Sequence, residues 1–97
     1  MRESVFQSQL IKEIKGRFPG CFVLKNDVGN QYQGFPDLLI LHNNHWAALE
    51  VKQSSSAHRQ PNQEYYIDIL GKMSFASFIC PETKGEVLDA MEQALES

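Results

Sequence analysis

The chain has 97 residues, 42% hydrophobic and 22% charged, with a net charge of −3. That length suits one domain, 1–97, with a modest core. No apolar run approaches the ~20 residues of a membrane span, and the polar start Arg2–Ser4 is unlike a secretory leader, so a cytoplasmic protein with no membrane partner is expected.

The charge argues against a general cationic nucleic-acid binder. Its distribution softens that argument. Glu82, Glu86, Asp89, Glu92 and Glu96 stand against Lys84 alone in the last stretch, and the body before it is near neutral. Cys21 and Cys80 lie far apart, without a CxxC or CxxH neighbour, so reduced thiols are expected rather than a zinc site.

Arg2 to Lys15 reads as a helix, with Phe6, Leu10 and Ile14 recurring at i, i+4, i+8 and Gly16 and Pro19-Gly20 ending it. Cys21 to Val28 reads as a strand that turns polar from Lys25 to Asp27. Gly29 to Pro36 is a loop. Asp37–Leu41 and Trp46–Lys52 are apolar strands joined by His42-Asn43-Asn44-His45, and Asn43-Asn44 suits a two-residue hairpin turn. After the Ser-rich loop from Gln53 to Ala57, Pro61 opens a helix to about Lys72, with Tyr66, Ile69, Leu70 and Met73 as its apolar side. Ser74 to Cys80 is a short strand. Thr83-Lys84-Gly85-Glu86 matches a capping box, and Val87, Leu88, Met91 and Leu95 form the stripe of a last helix.

The order is αβββαβα. Leu38, Ile40, Leu49 and Val51 fall on one face of the central strands, Leu39, Leu41, Trp46 and Ala48 on the other. A sheet apolar on both faces calls for helices on both sides. The expected architecture is therefore α/β or α+β, a mixed central sheet flanked by helices.

The hairpin also sets a register. With Asn43 and Asn44 at the turn, His42 faces His45 and Asp37 faces Glu50, their Cβ atoms about 4.5–5.5 Å apart on one face. Lys52 shares that face. Two opposed carboxylates are unfavourable alone, and a hard divalent cation removes the objection. Two carboxylates, a divalent ion and an ammonium are equipment for phosphodiester hydrolysis. The Val51 carbonyl is a further candidate ligand.

Pro36-Asp37, a gap of twelve residues and Glu50-Val51-Lys52 resemble the PD-(D/E)xK motif of the restriction-endonuclease-like nucleases, whose core has a similar αβββαβ order. More narrowly, "LKNDVGNQYQGFPDLLIL", "WAALEVK" and "RQPNQEYYIDIL" resemble the virus-type replication-repair nuclease (VRR-NUC) family, with its GxPD strand, ExK strand and P-x-Q helix start. The resemblance implies that Asp37 and Glu50 hold Mg²⁺ or Mn²⁺, that Lys52 is the catalytic lysine and that Gln63 is the family's helix glutamine near the site. It matches Glu3 to an acid on the first helix of related enzymes, with Gln7 and Gln9 as alternatives. It turns Lys25, and with it Asn26, toward substrate phosphates. Stand-alone members are carried by phages, hence a bacterial host cytoplasm, and act as homodimers on branched DNA such as four-way junctions.

The implied function is a metal-dependent DNA endonuclease of the Holliday-junction-resolvase kind. An exonuclease or restriction-type nuclease is the alternative enzyme, and a catalytically silent DNA-binding module is the alternative of another class. Simpler roles stand beside these. Lys25 suits a solvated strand end, and Glu3 suits a first-turn acid favoured by the helix dipole. His42 and His45 lack further ligands for zinc. His58 and Arg59 sit in a surface loop, where Arg59 is a candidate DNA contact. The acidic last helix should repel DNA, placing substrate on the opposite side.

Overall fold

The computed structural model describes residues 1–26 and 31–96. Asp27 and Val28, the expected end of the first strand, and Gly29 and Asn30 of the following loop lie outside the described residues. The element order is α1 (Glu3–Arg17), β1 (Phe22–Lys25), β2 (Leu38–His42), β3 (His45–Val51), α2 (Pro61–Met73), β4 (Phe75–Ile79) and α3 (Lys84–Leu95). The four strands form one mixed sheet in the order β1-β2-β3-β4. The first two pairings are antiparallel and β3 with β4 is parallel. A parallel neighbour needs a crossover, and α2 provides it.

The hairpin forms as expected. His42 pairs with His45 and Leu38 with Leu49. Asn43 takes the positive φ, 55°, that the tight turn needs and that Asn tolerates. This register sends Leu38, Ile40, Ala47, Leu49 and Val51 to one face. There they join Phe6, Leu10 and Ile14 of α1 and Leu88, Met91 and Leu95 of α3 in one buried cluster. Most apolar burial is here, which makes the α1–sheet–α3 layer the stable part of the molecule.

The other face is covered less completely, which corrects the expectation of a sheet buried on both sides. The α2 helix lies over β3 and β4 and buries none of its own residues fully. Ala48 and Glu50 are buried beneath it, whereas Leu41 is 38% exposed and Phe22 on edge strand β1 is 67% exposed. Met73, expected on the apolar side of α2, is also exposed.

Two ends differ from the sequence reading. Helix α1 runs through Gly16 to Arg17. Its extra turn is held by Phe18 in the core and by Arg17, which pairs with Asp89 and with Glu92 (2.7 Å) on α3. Those contacts offset the ~1 kcal/mol that a helical glycine costs. At α3 the expected capping box is absent. Thr83 makes no side-chain cap bond to the helix, because its hydroxyl accepts from the Cys80 N–H (3.2 Å) instead. The capping box forms at α2, between Gln60 and Gln63. Both cysteines are free thiols. No helix among the described residues is long and apolar enough to cross a membrane.

Candidate active site

Strands β1, β3 and β4 end, and β2 begins, at one edge of the sheet. The β1–β2 ladder continues past Lys25, where the Asn26 N–H donates to the Asp37 carbonyl (2.8 Å). The β3–β4 ladder continues where the Lys52 N–H donates to the Ile79 carbonyl (2.8 Å). Asp37, Glu50 and Lys52 are thus carried on paired backbone rather than on free loops. Asp37 is tied further, because its Oδ2 accepts the Val51 N–H at 2.8 Å. The side chain of Val51 goes to the opposite, core face.

Glu50 is the one buried charged residue among the described residues, 4% exposed. Burial pushes its carboxyl up to about 8, assisted by the charge of Asp37 and by the hydrogen bond that a protonated Glu50 shares with Asp37; Lys52 opposes the shift and Glu3 adds to it. A carboxyl lifted this far has too little positive charge around it.

Gln63, in the first turn of α2, joins the two strand residues to each other. Its Nε2 donates to Glu50 Oε2 (2.9 Å), and its Oε1 accepts from Lys52 Nζ (2.8 Å) and from the Gln60 N–H (3.0 Å). Lys52 Nζ donates a second bond to the His58 carbonyl (3.0 Å). The amide, with a donor on one side and an acceptor on the other, is the side chain that can serve both a carboxyl and an ammonium. In the sequence only the family resemblance of the helix start singles out Gln63. Sequence reasoning missed the His58 carbonyl and the Gln60 cap, which no side-chain pattern signals.

The remaining candidates are placed at this end but in different ways. Glu3 opens α1, whose start is held by a bond from Gln53 Nε2 to the Met1 carbonyl (3.3 Å), and it acts on Glu50 through its charge. Among the described residues no group of three His, Cys, Asp or Glu side chains is set to hold a metal, so Glu3 does not complete a three-carboxylate site. Lys25 is exposed at the end of β1. Asn26 turns to the protein, with Nδ2 donating to the Phe35 carbonyl (3.1 Å). Arg59 lies over the ring of Phe78, 4.0 Å from its centroid. Helix α3 packs on the face opposite α2, and only its first turn, with Glu86, comes round towards Lys52.

The loop before Asp37 is seated on the start of α2. Asn62 Nδ2 donates to the Gln33 carbonyl (3.2 Å), and Phe35 packs edge-on against Tyr66 at 5.3 Å. Gly34 permits this approach. Its φ is +90°, and a Cβ added there would stand 2.5 Å from Asn62 Cβ. Gly34→Ala should therefore lose roughly 1–3 kcal/mol of stability and loosen both Asp37 and Gln63. Thermal melting checks it, and a variant melting with the parent would show that the loop relaxes freely.

An all-oxygen pair, Glu50 buried and Asp37 half-buried, short of positive charge, fits a hard divalent ion that keeps several waters. Asp37 and Glu50 are the side chains that could hold it, with the Val51 carbonyl on the same strand. No family model, no curated protein and no solved structure matches this chain.

Proposed function

We propose that this protein is a Mg²⁺- or Mn²⁺-dependent DNA endonuclease with a restriction-endonuclease-like core of the VRR-NUC type. In this reading it acts as a homodimer on branched DNA such as a four-way junction. One observation carries it: Asp37 lies across from Glu50, and Gln63 links Glu50 to Lys52 within hydrogen-bonding distance. A structural role does not call for a buried carboxyl opposed to a second one. A phosphodiesterase does, because the bound ion neutralises the pair, acidifies a water and offsets charge on the phosphate.

The chain's own groups then have distinct tasks. Asp37 and Glu50 are the anionic ligands, with Asp37 held in place by the Val51 N–H. Lys52 presents its ammonium beside them to steady developing charge on a phosphate oxygen or to orient the attacking water. Gln63 fixes the ammonium and the carboxylate relative to each other, which is the preorganisation that such chemistry requires. Lys25 is available to the strand's phosphates. A single site of this kind cuts one strand, so a two-fold pair would cut two strands symmetrically. Free thiols at Cys21 and Cys80 suit a reducing cytoplasm.

The test is incubation of the protein with a labelled four-way junction, a linear duplex, a closed circle and a single strand, each with Mg²⁺, Mn²⁺ or EDTA. Metal-dependent paired cuts near the branch point are expected. Cutting only from ends makes it an exonuclease. Binding without cutting under every condition makes it a DNA-binding module and ends the nuclease reading.

A further inference from the structure

A cleft of about 270 Å³ opens beside Lys52, between β4, α2, the start of α3 and the loop after β3. Lys52 and Arg59 stand at its cationic side, Ile67 and Phe78 supply apolar wall and Glu86 lies on another part of the lining. Phe78 is the cross-strand partner of Glu50, so the cleft begins one strand away from the proposed reacting centre. The exposed Arg59 guanidinium lies over the Phe78 ring, its central carbon 4.0 Å from the ring centroid, in a cation–π contact. Anchored on one side by the ring, the planar guanidinium has its other side free for a second planar partner.

The geometry points to this cleft as a seat for one unstacked nucleobase, laid on the Arg59–Phe78 platform, next to the phosphate that Lys52 contacts. Three features support a base rather than a second phosphate. A guanidinium plane backed by an aromatic ring is a surface on which any base can stack. The apolar wall suits a base and not a phosphate. Glu86 disfavours a phosphate deep in the cleft, and Glu82 at the same rim, engaged with the Ser55 N–H and hydroxyl (3.2 Å each), adds negative charge. The cleft, about 270 Å³, is of the size of a single base rather than of a duplex. The inference rests on the nucleic-acid reading above and narrows it. The preferred substrate has an unpaired or easily unstacked nucleotide beside the cut, as at a branch point. Arg59 then reads base planes instead of neutralising a phosphate.

The test separates plane from charge. Fluorescence anisotropy would give the affinity of a labelled single strand, and of the same sequence as a blunt duplex, for metal-free parent, Arg59→Lys, Arg59→Ala and Phe78→Leu, with circular dichroism as the folding control. Arg59→Lys keeps the charge and loses the plane. It is expected to weaken single-strand binding roughly fivefold to a hundredfold, the range of one base stack, and to leave duplex binding as in the parent. Phe78→Leu should act in the same direction, because the guanidinium loses the ring that anchors it. Parental single-strand affinity in Arg59→Lys, or equal losses on both DNA forms, overturns the base seat and leaves the nuclease reading standing. A parent that binds neither DNA form overturns both.

Discussion

Glu50→Gln is expected to raise the melting temperature of the metal-free protein at pH 8, by an amount of the order of 10 °C, and to abolish cleavage. The carboxyl is pushed up to about 8, by burial first and then by Asp37. The folded state thus holds a proton that the unfolded chain releases near 4.5. Between those two values the unfolded state binds fewer protons, so stability falls as pH rises from about 4.5 to about 8 and is level above. At ~1.4 kcal/mol per unit the penalty at pH 8 is at most about 4 kcal/mol. One kcal/mol moves the melting point of a domain this size by about 4–8 °C. Glutamine removes the penalty and keeps the geometry, because its amide can donate to Asp37 as the protonated acid does and its carbonyl can accept from Gln63.

Two further consequences make this testable. The gap between Glu50→Gln and parent should be small near pH 5 and widest at pH 8. Saturating Mg²⁺ should raise the parent's melting point at pH 8 and leave that of Glu50→Gln almost unmoved, since ligand binding stabilises only the state that binds it. A variant less stable than the parent at pH 8, or a gap indifferent to pH, would show that Glu50 is satisfied in the folded protein and has no need of a cation.

Lys52→Ala is expected to lower the single-turnover cleavage rate by roughly 10²–10⁴-fold while metal-free DNA affinity changes little. The ammonium is one charge among several that meet the substrate in the ground state, but it is held by Gln63 and the His58 carbonyl beside the carboxylates. A loss confined to KM, with the rate intact, would make Lys52 a binding residue. An unchanged rate removes it from the chemistry.

Much of the candidate site was legible because a hairpin is a ruler. Asn43-Asn44 identifies the turn, a two-residue turn sets the register, and a register with period two decides which side chains share a face. Asp37, Glu50 and Lys52 follow from that without any tertiary information, as does the αβββαβα order. The helix stripes Phe6-Leu10-Ile14 and Leu88-Met91-Leu95 were legible for the same reason: a repeat of i, i+3, i+4 is a local property of the chain.

What depended on chain segments far apart was not legible. Whether Gly16 ends a helix depends on whether Arg17 finds Asp89 and Glu92 on α3, and it does. Whether Thr83 caps α3 depends on a competing partner, the Cys80 N–H. The apolar alternation of β2 implied two covered faces, but the coverage is decided by how far α2 reaches, and it stops short of Phe22 and Leu41. The Arg59–Phe78 stack joins a loop to the sheet's edge strand and leaves no mark in either segment.

By itself the sequence determined the element order, the hairpin register and the face on which two carboxylates and an ammonium stand. These are consequences of local periodicity and turn chemistry. Tertiary structure alone decided that Glu50 is buried, that Gln63 joins it to Lys52, and that a cleft opens beside that lysine. Burial and cross-element hydrogen bonds arise only where distant parts of the chain remove water from one another.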